Sequence, residues 1–300
     1  MTFNDNAGLD VSQVTSGGGG GRGRGVAVGG GLGGIVVLVL ALVFGGDVFG
    51  GGSSAFDTSQ ITGAGTATGP DLSQCQTGAD ANRSDVCRIV GTVNSVQAYW
   101  TTALPEATGR QYSEAKTVIY SGATQTACGA ASSAVGPFYC PTDQRVYIDA
   151  EFFDELTAKY GADRGALAQE YVVAHEYGHR VQDILGLLSA SANSRTGSTS
   201  GSVRIELMAD CFAGTWAKHA ATTKDANGVT LLKPLTQADI NSALSAASAV
   251  GDDRIQRSAG RQVNPEAWTH GSSEQRQTWF LRGYRAGDPN QCNTLAQGAL

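Results

Sequence analysis

Between Gly165 and Leu188 the residues Leu167, Tyr171, Val172, Ala174, Val181, Ile184, Leu185 and Leu188 recur at three- and four-residue steps, and no proline interrupts them. This is the period of an α-helix with one apolar face, so any fold of this chain must bury a long helix here. The same stretch holds two of the chain's four histidines, His175 and His179, with Glu176 between them. Residues four apart on a helix are offset by only about 40° around its axis, so both imidazoles can face one cation. Glu176 is placed to reach a water bound to that cation.

A catalytic zinc takes three protein ligands and leaves a fourth position for water, so a third ligand is needed from elsewhere. The metzincin pattern, with Gly three and His six residues after the second histidine, is absent, because those positions are Gln182 and Leu185. The single glutamate between Glu176 and Glu266 is Glu206, inside a helical pattern that runs from Val203 to Trp216. Glu206 and Asp210 are four apart and share a face. One can bind the metal while the other accepts a hydrogen bond from a ligand imidazole. Asp183 is a weaker candidate, since it lies a further turn along the helix of His179, and His219 is turned about 140° from Glu206.

Of the 41 glycines, 21 fall in the first 70 residues. The rest has ordinary composition and the length of one domain. Residues 1–25 are polar and then glycine-rich, which predicts a flexible tail. Residues 26–45 carry no charge and are long enough to cross a hydrocarbon core of roughly 30 Å. Arg22 and Arg24 precede this stretch and Asp47 follows it, which predicts a cytoplasmic N-terminus and an extracytoplasmic remainder. A cleaved signal peptide would have a shorter apolar run and a small-x-small site, so an uncleaved anchor is the preferred reading. Residues 46–70 then form a linker and 71–300 the domain. All six cysteines follow the apolar stretch without C-x-x-C spacing, which suits an oxidising compartment. Loop-closure economy favours Cys75 with Cys87 and Cys128 with Cys140, which leaves Cys211 with Cys292. The formal charge of −6 lacks the basic excess of a nucleic-acid surface, so no nucleic-acid partner is expected.

With Phe138-Tyr139-Cys140-Pro141, Val146-Tyr147-Ile148-Asp149, the segments HEYGHRVQ and ELMADCFAG, and HGSSEQR from His270 followed by Trp279-Phe280, the chain resembles the neutral zinc metallopeptidase family of bacterial membrane-anchored proteins. More broadly it is similar to gluzincins. The resemblance implies a zincin-like α+β domain, helix-rich with a small sheet, behind a single N-terminal transmembrane helix. It implies one Zn2+ held by His175, His179 and Glu206, with Asp210 supporting the first histidine and Glu176 as general base. Such sites add a histidine or tyrosine donor to the oxyanion from a distant segment, and His270, at the start of a predicted helix, is the candidate. Arg145–Asp149 is a short alternating strand, a core strand by itself and, in such a fold, an edge strand for substrate backbone. The expected activity is hydrolysis of a peptide or protein substrate outside the cytoplasmic membrane. Two rivals are a non-catalytic, metal-stabilised surface binding module and a zinc amidase acting on cell-wall peptides.

Overall fold

The computed structural model describes residues 2–17 and 69–300. In chain order these form strand β1 (Val14–Gly17), helices α1 (Gly78–Ala81) and α2 (Asp85–Thr108), and strands β2 (Lys116–Tyr120), β3 (Ala123–Thr126), β4 (Gly129–Ser132), β5 (Phe138–Cys140) and β6 (Arg145–Asp149). Helices α3 (Phe152–Ala158), α4 (Ala166–Leu185), α5 (Gly201–His219), α6 (Gln237–Ala249), α7 (Asp252–Ser258) and α8 (Ser273–Ala286) follow. This is a helix-rich α+β fold with small sheets. The expected anchor at 26–45 lies outside the described residues. Among the described residues no helix is long and apolar enough to cross a membrane.

The helix boundaries follow from local chemistry. Gly186, at φ 72°, takes the left-handed conformation that a Cβ would strain, and its N–H closes the end of α4. The Ser200 hydroxyl accepts from Val203 N to start α5. Ser272 and Gln275 cap the start of α8 reciprocally. The polar stretch between α4 and α5 contains a 3₁₀ segment, Leu188–Asn193.

Helix α5 sits at the centre, packed against α4 on one side and α8 on the other. Two glycines set how close these helices come. A Cβ on Gly178 of α4 would lie 2.9 Å from the Ala209 Cα of α5, and one on Gly283 of α8 would lie 1.9 Å from the Cys211 carbonyl oxygen. Any side chain there would push the helices apart.

The main sheet has the order β1-β2-β6-β5, with β1, β2 and β6 parallel and β5 antiparallel to β6. The Arg145–Asp149 strand is therefore interior, paired on both sides, and the expectation of an edge strand there is corrected. Its last four residues are buried, as suits a strand between two neighbours. The edge on that side of the sheet is β5.

The tail expectation also needs correction for residues 2–17. Phe3, Ala7, Leu9 and Val14 are buried in the same core as α2, α4 and α5, and β1 pairs with β2. A sparse apolar pattern in a polar segment suggested no core of its own, but these side chains use the core of the rest of the chain. Residues 18–25 lie outside the described residues. The two short-loop disulfides form as expected, Cys75–Cys87 and Cys128–Cys140, and the two remaining cysteines form Cys211–Cys292.

Candidate metal centre

Because α4 and α5 cross closely at Gly178, the Glu206 carboxylate of α5 reaches the histidine face of α4. Its Oε2 lies 3.1 Å from His175 Nε2 and its Oε1 lies 3.5 Å from His179 Nε2. One ligand atom from each of the three residues falls within 4.8 Å of the others. Two imidazole nitrogens and a carboxylate oxygen are the donor set of a three-ligand zinc site.

Both histidines are held from behind. His175 Nδ1 is 2.9 Å from Asp210 Oδ1, and His179 Nδ1 is 2.8 Å from Gln182 Oε1. Each Nδ1–H donates to its oxygen, which leaves each Nε2 lone pair for a metal. The amide of Gln182 is itself fixed, since its Nε2 donates to Ile205 O at 2.7 Å. These occupied Nδ1 positions show that the residues fit a zinc ion. The arrangement also assigns the two acids of α5, with Glu206 in front of the rings and Asp210 behind.

Asp210 is fully buried and carries the densest polar contacts of the site. It accepts from the Tyr171 hydroxyl, from His175, and from Arg276 through Nε at 3.0 Å and Nη2 at 2.9 Å. The Arg276 Nη2 also donates to the Tyr171 hydroxyl oxygen at 3.2 Å. Burial would raise the Asp210 pKa, but the Arg276 charge and then His175 hold it below its ordinary value. For His175, burial disfavours the charged ring, yet Asp210 and Glu206 outweigh it and raise the pKa to about 10. Glu206 would likewise be pushed up by burial, but His179, His270 and the His175 hydrogen bond bring it far below the usual carboxylate range. Glu176 differs. Burial dominates there and raises its pKa despite the two histidines.

His175, Glu176, His179 and Glu206 line a cavity of about 130 Å³ that is also bordered by Gly136, Pro137, Phe152, Tyr160 and His270. His270 thus reaches the site from more than 60 positions further along the chain than Glu206. It is held by Asp252, the first residue of α7, whose Oδ2 accepts from the backbone N–H groups of Thr269, His270 and Gly271 at 2.7–3.0 Å. The His270 Nδ1 faces Thr269 Oγ1 at 3.1 Å and Asp252 Oδ1 at 3.4 Å, so its Nε2 is the atom available to a ligand. The two weaker candidates lie elsewhere. Asp183 accepts from Tyr139 and Arg180, and His219 stacks on Tyr99.

A family model described as "Putative neutral zinc metallopeptidase" matches residues 4–295. The chain belongs to this family. Uncharacterized protein Rv2575 of Mycobacterium tuberculosis is 52% identical over 235 residues, 78% of each chain. Uncharacterized protein YpfJ of Escherichia coli K12 is 39% identical over 273 residues, 88% of this chain and 87% of its own. No solved structure matches the chain. In this metallopeptidase family member, sequence reasoning missed Gln182, Tyr171, Asp252 and Arg276 as site residues. Tyr171 and Gln182 stand four before His175 and three after His179, on the histidine face. Arg276 had the clearest signal: it shares a face with Phe280 and Gly283, and a cation on a buried face requires a buried anion.

Proposed function

We propose that the protein is a zinc-dependent peptidase in which Glu176 is the general base. The observation that supports this reading best is a buried carboxylate beside three convergent ligands. His175, His179 and Glu206 would hold a zinc ion, which when bound would acidify a water and polarise the scissile carbonyl. The Glu176 carboxylate takes the proton of the attacking water and returns it to the leaving amine. The His270 Nε2–H donates to the developing oxyanion, and Asp252 fixes the ring. An extended peptide adds its backbone to β5, the edge strand that directly follows the cavity residues Gly136 and Pro137. Three disulfides within one body support an extracytoplasmic location.

The test is zinc quantification on the purified full chain, with cleavage of unbiased peptide pools. One equivalent of zinc, and cleavage lost on chelation and restored by zinc, is the expected result. Full zinc loading with no cleavage in any pool, under conditions where a known zinc peptidase is active, would sink the catalytic reading.

A further inference from the structure

Residues 2–17 are tied to the rest of the molecule along their whole length. Phe3 fills a slot against Gly91 of α2, where an added Cβ would lie 2.5 Å from the ring. Asn4 N donates to Leu231 O at 2.9 Å, and Gly8 N donates to Asp225 Oδ2 at 2.7 Å. Asp10 and Asn94 exchange two hydrogen bonds, from Asp10 N to Asn94 Oδ1 at 2.8 Å and from Asn94 Nδ2 to Asp10 O at 2.9 Å. Strand β1 then pairs in parallel with β2, from Val14 beside Thr117 to Gly17 beside Tyr120.

The second described stretch begins where the first ends. Ser16 Oγ donates to Pro70 O at 2.8 Å, and a Cβ on Gly69 would lie 2.7 Å from Gly17 O. Gly17 and Gly69, the facing ends of the two described stretches, therefore lie side by side. The uncharged residues 26–45 lie between, and residues 46–68 contain no second stretch of that kind. A single crossing would put its two ends on opposite faces of a hydrocarbon layer roughly 30 Å thick. We infer that residues 2–17 and 69–300 occupy the same face of the membrane, against the cytoplasmic N-terminus and extracytoplasmic remainder expected from Arg22 and Arg24. The two arginines that favour that orientation act against the packing of Phe3, Ala7, Leu9 and Val14 and the whole of β1. Removing β1 to the other face would also leave the β2 edge and the Phe3 slot uncovered.

This inference does not depend on the zinc-site reading. The test uses the full chain in its native membrane with single added cysteines, all native cysteines being paired. Asn6→Cys and Ser12→Cys report on the N-terminal segment and Ser258→Cys on the domain, all three positions being exposed. Each is treated with a membrane-impermeant maleimide before and after lysis. The three positions are expected to label together. Labelling of Ser258→Cys before lysis with both N-terminal reporters labelled only afterwards would overturn the inference.

Discussion

On the proposed roles, ligand, base and supporting residue fail in different ways. Glu206→Ala removes one of three convergent donors and is expected to lower zinc occupancy, whereas Glu176→Gln keeps zinc and loses turnover. Metal content and peptide cleavage, measured on the same preparations, separate the two. Gln182→Leu frees the His179 ring and is expected to weaken zinc binding by about 10 to 100-fold in a chelator competition. Arg276→Leu leaves Asp210 buried without its main counter-charge, so the expected loss is about 3–5 kcal/mol of stability together with weaker zinc binding. Arg276→Lys keeps the charge without the two-pronged geometry and should fall between, in both thermal melting and zinc affinity. Were Arg276→Leu as stable as the parent, the buried pair would not carry the role given to it. His270→Ala is expected to keep zinc and lower kcat by about 10² to 10³-fold with little change in KM, the pattern of a donor used in the transition state.

At the scale of elements, the helix pair is set by small residues. Gly178→Val would insert side-chain atoms where one Cβ already comes within 3.1 Å of Ala209 Cβ, and Gly283→Val would meet the Cys211 carbonyl. Overpacking of this kind costs about 1–3 kcal/mol. The Gly178 change should also reduce zinc affinity, because it moves Glu206 away from the histidines, while Gly283→Val should act mainly on melting temperature. Equal effects of the two on zinc binding would contradict this division. Both helices were legible from their apolar period and the absence of proline. The reason for a glycine inside the histidine motif was not, because it lies in the neighbouring helix.

For the whole molecule, deletion of residues 1–17 is expected to lower the melting temperature and promote association through the uncovered β2 edge, measurable by calorimetry and light scattering of the 18–300 chain against the full chain. An unchanged melting temperature would show that β1 and Phe3 add little. Local chemistry determined the two long helices α4 and α5, the histidine pair with Glu176 between them, the acidic pair on the second helix and the two short-loop disulfides, because helical period, i to i+4 spacing and loop closure act over a few residues. Only the tertiary structure decided that Glu206 faces the metal position while Asp210 stands behind His175, that Arg276 neutralises Asp210, that His270 enters the cavity and that β1 joins the sheet. Each of these depends on how elements distant in sequence cross and pack. A parallel strand pair such as β1 with β2 leaves no nearby turn signal in the chain, so the polar N-terminus reads as a free tail until its partner, about a hundred residues later, is in place.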